Sequence, residues 1–545
     1  MSSVAARPEP VQRLRAGSLA TVLTILGLIA LCVISLQLRT QALRAGFWID
    51  EGLSVGIATR DIWDIPGVLR MDGSPPLYYL LLHVWMSLFG SGEGATHGLS
   101  VVCTVAMVPG AWWAARGLAG TRAAWMAAVL AAFHPFLTFY AQETRMYALA
   151  ALLALLFAAC WARAYALDDR RYLIPTVLSG ALLLYTHNWA IFLLCGSVAG
   201  VAALWWRAPQ RRAFTRDVLL GYGGIGLLYL AWVPTLLYQA ANTGAPWARK
   251  PGTEQLLEGA FVALGSGGGG GGGGPLLLIV AGAGVAALLG RPLAGVAPAL
   301  PPDEAAHRAR AALGLVVLLA AGLLAAWVAS QISPAWTNRY LAVFVGPVVL
   351  LGGIGLAQTR ALGIAALAVL VFLWADPRVI ALESKSNARS VAASIEYRDV
   401  NTGDLVISTH PEQIAVLHYY LGDRFRYATS LGAQDDPRYL DWTDATDRLL
   451  MTPPTPTARK LVDKMQPGQA VILVLPILRS YRWNAPWTRL VKRRSIEWER
   501  ALNADARLRR VESFPRFGLR PPPRGVRAVL YRVRPTSRSI STPAS

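Results

Sequence analysis

Eleven apolar stretches decide what this chain can fold into. They cover residues 18–38, 98–115, 123–140, 146–166, 172–187, 189–206, 217–238, 275–290, 311–330, 340–357 and 361–375. A helix that crosses a bilayer needs about 20 such residues, because every backbone polar group in lipid must find its partner within the segment. Composition agrees: 54% of the 545 residues are hydrophobic and 15% are charged, against about 25% charged in a soluble protein. A cytosolic enzyme, a disordered chain and a secreted disulfide scaffold are therefore excluded. Cys32, Cys103, Cys160 and Cys195 all lie inside apolar runs and read as small hydrophobes. The fold class expected is a polytopic α-helical membrane protein.

Arginines set the expected orientation. The first apolar run follows Arg7, Arg13 and Arg15 and has no small-residue cleavage site, so it reads as an anchor with residues 1–17 in the cytoplasm. Residues 75–89 are apolar but short for a span. Taken as a helix along the outer surface, they leave Arg116/Arg122, Arg163/Arg170/Arg171, Arg207/Arg211/Arg212/Arg216, Arg291/Arg308/Arg310 and Arg360 all inside. The expectation is about eleven transmembrane helices plus one juxtamembrane helix, spanning residues 18–375. The bias of 47 Arg to 5 Lys reads as GC-rich coding in a bacterium, which makes the membrane a bacterial cell membrane.

Residues 376–535 are different material. DLVIST (404–409), AVILVLPI (470–477) and VRAVLYRV (526–533) have strand patterns. PEQIAVLHYYLG (411–422) and residues 485–504 have helical ones. The alternation predicts a small extracytoplasmic α/β domain, followed by a disordered tail at 536–545. The run Gly267–Gly274 reads as a flexible linker in an outer loop. From Arg459 onward there are 20 basic and 5 acidic residues. No nucleic-acid motif accompanies them, so an anionic membrane or polymer is the expected partner of that surface.

This topology gathers ionisable groups on the outer leaflet: Asp50 and Glu51 in FWIDEGLS, Asp72 before the juxtamembrane helix, Glu143 and Arg145 at one turn, His187 at another, and Arg339 with Tyr340 at a third. Each alone has a plain reading, as a solvated loop, a snorkelling arginine or a helix-end histidine. Together they suit group transfer from a lipid phosphate. A carboxylate accepts the proton of an attacking hydroxyl, and arginines hold the phosphate leaving group.

The motifs IDEGLS, D-G-S-P-P-L-Y-Y-L-L-L-H-V-W with a following LFG, AQETRMYALAALLAL, YTH, and NRY before a late span resemble those of GT-C glycosyltransferases, the superfamily of protein O-mannosyltransferases and aminoarabinose transferases. The resemblance covers roughly residues 15–375. It implies inverting transfer of a sugar from a polyprenyl-phosphate donor to a cell-envelope glycan, lipid or protein acceptor on the outer face. It also implies Asp50 as catalytic base, Glu51, Asp72 and Glu143 as acceptor- or metal-proximal carboxylates, and Arg145 and Arg339 as lipid-phosphate ligands. Tyr340, His187, Tyr78 and Lys250 are implied as further donor contacts. The sequence departs from the family in the glycine run, the basic tail and THGLS (96–100), which lacks an expected arginine. No spacing demands a cofactor, although the carboxylates could hold a divalent cation. The alternative is a transporter or flippase of a lipid-linked sugar. Against it, the two halves show no repeat and the charges gather at one face.

Overall fold

A computed structural model describes residues 10–266, 272–290, 301–376, 382–383, 385–477, 484–515 and 525–535. Most of the N-terminal segment 1–17, most of the run Gly267–Gly274, Arg291 and the tail 536–545 lie outside the described residues.

Among the described residues, six helices are long and apolar enough to cross a membrane: Leu19–Arg39, Glu93–Phe133, Tyr147–Ala166, Arg211–Asn242, Pro302–Ile332 and Asn338–Gln358. Four shorter apolar helices join them, Leu77–Phe89, Ala190–Trp205, Gly273–Leu288 and Arg360–Trp374. The first helix turns Leu19, Leu23, Leu26 and Ile29 outward, as an anchor against lipid does. Tyr147–Ala166 and Asn338–Gln358 are the most buried and form the centre of the bundle. Helix association in lipid relies on close backbone approach. Gly196 supplies it: a Cβ there would lie 2.1 Å from the Leu318 carbonyl oxygen.

The segment Glu93–Phe133 is two helices broken at Gly120, where φ is 85°. Arg39 donates both to Thr104 O and to Ala131 O. In a straight helix those carbonyls would stand about 40 Å apart, so the halves run side by side as a hairpin. The arginine-rich turns share one end of the bundle. Arg163 Nη2 donates to Trp113 O at 2.7 Å, Arg310 pairs with Asp168 at 2.8 Å, and Arg170 pairs with Asp217 at 3.0 Å.

The other end carries the soluble domain. Among the described residues it has six strands, β1 (Leu405–Ser408), β2 (Arg426–Thr429), β3 (Gly432–Gln434), β4 (Ala470–Pro476), β5 (Leu508–Phe514) and β6 (Val526–Val533), in the order β3-β2-β1-β4-β6-β5. β1 is parallel to β2 and to β4, and the outer pairings are antiparallel. The helices Gln413–Leu421 and Pro486–Ala504 match the expected helical stretches to within a few residues.

The helix Leu77–Phe89 spans about 20 Å, short of the roughly 30 Å hydrocarbon core. Both its ends lie at the soluble-domain end of the bundle. Ser74 and Pro75, before it, line the cavity described below. After it, Ser91 O accepts from Tyr419, and Glu93 accepts from Tyr420 at 3.0 Å.

Candidate active site

A cavity of about 830 Å³ opens between the bundle and the soluble domain. Asp50, Asp72, Arg145, His187, Arg339 and Tyr340 reach it from the bundle, and Lys385, His410, Glu412 and Gln413 from the C-terminal part. Six of the ten residues singled out in the sequence thus share one cavity, delivered by five separate segments.

Asp50 sits in the first turn of the helix Ile49–Ala58. Its Oδ2 lies 3.1 Å from Arg339 Nη1. Arg145 Nη1 donates to the Asp50 carbonyl at 3.2 Å, to Ser54 Oγ at 3.0 Å and to Tyr79 OH at 3.2 Å. The Arg339 guanidinium lies against the rings of Trp247, Trp48 and Tyr340, 5.1 to 5.7 Å from their centroids. Such aromatic faces hold a cation and limit its geometry. His187 packs edge-on to Tyr340, with centroids 4.8 Å apart. Burial pushes the Asp72 carboxyl above its ordinary range, partly offset by Ser74 and Arg145.

Glu51 adjoins Asp50 in sequence and points the other way, into the protein. It accepts from His97 Nε2 at 2.6 Å, Thr144 N at 2.9 Å, Lys385 Nζ at 3.0 Å and Trp48 N at 3.2 Å. Burial alone would raise its pKa, but Lys385 and His97 outweigh burial and hold the carboxyl below the usual range. Lys385 Nζ also donates to Gln142 O at 3.0 Å, and His97 Nδ1 lies 2.7 Å from Leu43 O. Glu51 therefore pins together four segments behind the cavity wall. Glu143 is buried behind the wall as well, and its carbonyl accepts from Ser100 Oγ at 2.7 Å. Tyr78 is buried edge-on to Tyr79. Lys250 is exposed and outside the cavity lining.

The position of the Asp50 helix depends on a close contact. A Cβ on Gly52 would lie 2.6 Å from the Cα of Val416 in the helix Gln413–Leu421. The glycine of IDEGLS thus lets the helix bearing Asp50 press directly on the soluble domain.

Sequence reasoning missed His97, Lys385, and the trio His410, Glu412 and Gln413. Lys385 left one trace, a lysine in a chain that uses arginine almost everywhere. The residues do not fit a divalent cation. Asp50 is paired with Arg339 and Glu51 with Lys385 and His97. No three His, Cys, Asp or Glu side chains converge among the described residues.

The fold and cavity define a polytopic membrane protein with an α/β domain seated over a charged site. No family model matches the chain, and no curated protein matches it. Solved structures do. ArnT from Cupriavidus metallidurans bound to undecaprenyl phosphate is 14% identical with a TM-score of 0.55, covering 94% of this chain and 97% of that one. The Archaeoglobus fulgidus oligosaccharyltransferase in its apo form is 12% identical with a TM-score of 0.51, covering 85% and 72%. Arabinofuranosyltransferase AftD from Mycobacteria is 16% identical with a TM-score of 0.50, covering 93% of this chain and 41% of that longer one. The chain has the GT-C fold that these structures share.

Proposed function

We propose that this protein is a membrane glycosyltransferase. It moves a mannose- or arabinose-like sugar from a polyprenyl-phosphate donor to an acceptor hydroxyl on the outer face of a bacterial cell membrane. The observation that carries the reading is one carboxylate and two guanidinium groups, Asp50, Arg145 and Arg339, held together at one cavity.

In the reaction the acceptor hydroxyl oxygen bonds to the anomeric carbon from the face opposite the phosphate, which inverts that centre. Asp50 takes the hydroxyl proton. The bond between the anomeric carbon and the phosphate oxygen breaks, and its electron pair leaves with the lipid phosphate. Arg145 and Arg339 stabilise that charge, and the guanidinium fork suits a phosphate. A donor phosphate gives Arg339 a second anion, which frees Asp50 to act as base. Asp72, His187 and Tyr340 line the space for the sugar. Glu51 and Glu143 act from behind the wall as positioning residues. The arginine-rich turns at the far end favour the cytoplasm for that end, which supports an outward-facing C-terminal domain.

The test follows radiolabelled sugar from a polyprenyl-phosphate-sugar donor in membranes carrying Asp50→Asn. Transfer should be almost lost while the protein stays folded, and unchanged transfer removes Asp50 as base. A Gly94→Cys label should react from outside the cell; reaction only from the cytoplasm reverses the orientation.

A further inference from the structure

The soluble domain's sheet contains a point where the path of the chain reverses. β1 leads through the helix Gln413–Leu421 to β2 on one side of it. That helix covers the sheet face of Val406, Ile472 and Val474 with Ile414 and Leu417. β4 joins the other side of β1 and leads into the helix Pro486–Ala504, whose Trp498 and Leu502 cover the opposite face with Leu405, Ile407 and Leu473. Two neighbouring parallel strands thus send their following helices to opposite faces. In open α/β sheets, ligands bind in the crevice that such a divergence opens at the carboxyl ends of the strands.

Here the crevice faces the cavity that holds Asp50. His410, Glu412 and Gln413 follow β1, Pro476 ends β4, and Thr488 lies in the first turn of the next helix. All five line that cavity. Gln413 is only 2% exposed, and its side-chain oxygen has no hydrogen-bond partner. A buried acceptor is rarely left unmade in a native fold. Its neighbour Glu412 is fixed in place. Trp487 Nε1 donates to Glu412 Oε1 at 2.7 Å, and His410 Nε2 lies 2.9 Å from Oε2. The indoles of Trp442 and Trp247 also line the cavity.

A carboxylate, an amide oxygen and an imidazole beside flat aromatic surfaces accept hydroxyl protons and pack against C–H faces. We propose that this crevice is the acceptor subsite, and that the acceptor is a carbohydrate whose hydroxyls donate to Glu412 and Gln413 while another is presented to Asp50. The proposal rests on the glycosyltransferase reading and names its second substrate.

Calorimetric titration of the full chain in lipid nanodiscs tests it, with mannotetraose, arabinotetraose, a threonine-containing decapeptide and undecaprenyl phosphate as separate probes. At least one oligosaccharide should bind. Gln413→Leu and Glu412→Gln should each weaken it by about tenfold, the effect of losing one good hydrogen bond. Undecaprenyl phosphate should bind both variants as it binds the unaltered chain, which also reports that they are folded. The proposal is overturned if neither oligosaccharide binds, if both variants bind it normally, or if the peptide alone binds and the same substitutions abolish that. Failure of undecaprenyl phosphate to bind the unaltered chain would instead sink the glycosyltransferase reading while leaving an oligosaccharide result intact.

Discussion

On the bundle side of the cavity, two arginines flank Asp50, and their charges meet carbonyl, hydroxyl and carboxylate groups. On the soluble-domain side stand His410, Glu412 and Gln413, and the C-terminal part contributes one cation to the lining among the described residues, Lys385. One wall offers cations, the other hydrogen-bond acceptors. On the function proposed above, the difference would match two kinds of ligand, an anionic lipid phosphate below and a hydroxyl-bearing acceptor above. Asp50 lies on the helix that joins the walls, pressed against the domain through Gly52.

Substitutions can break this division one wall at a time. The largest effect belongs to Asp50→Asn, which should lower the transfer rate by about 10² to 10⁴ and leave undecaprenyl phosphate binding intact; the rate of sugar transfer decides it. Next comes Lys385→Met. It leaves Glu51 buried without its cation, a change worth about 3–5 kcal/mol of stability. The paired variant with Glu51→Gln should recover much of that loss in thermal unfolding. Arg339→Ala removes one partner of a recessed ion pair, which typically costs about 2–5 kcal/mol in binding. It should raise KM for the lipid donor far more than KM for the acceptor; equal changes in both would make Arg339 a structural residue. Gly52→Ala forces a methyl group onto the Val416 backbone, an overpacking of about 1–3 kcal/mol. It should loosen the soluble domain first, seen as faster proteolysis between the bundle and the domain.

The smallest effect is the dependence on pH. The Glu51 carboxyl is held below its ordinary range against the opposing effect of burial. A depressed carboxyl contributes stability that is complete above its unfolded value of about 4.3 and is lost as pH falls toward the folded value. The Tm advantage of the unaltered chain over Glu51→Gln should therefore shrink as pH is lowered from about 5 to about 3. An advantage independent of pH would mean that Glu51 acts through packing alone.

Much of this was legible before any coordinates. Apolar runs and arginine spacing marked the helices, and the turns they implied brought Asp50, Arg145 and Arg339 into one leaflet. β1, β4 and β6 were visible as apolar runs. β2 is as short as β1 but reads RYAT where β1 has the apolar LVIS, and β3 has only 3 residues, so neither registers as a strand. β5, LRRVESF, carries exposed charge along its middle, which hides it. The resemblance separated Asp50 from Glu51, but no pattern in the residues themselves did. Adjacent residues on a helix point about 100° apart, so one faced the cavity and the other the interior, and only the packing of the helix chose between them.

The sequence by itself determined the membrane body and which turns carry its arginines and its ionisable groups, because hydropathy and charge act on each segment independently of the rest of the fold. Tertiary structure alone decided that Glu51 would bond to His97 and Lys385, residues 46 and 334 positions away. It alone decided that the crevice after β1 and β4 would open onto Asp50. Contacts between segments so distant along the chain depend on how whole elements pack, and no local pattern encodes them.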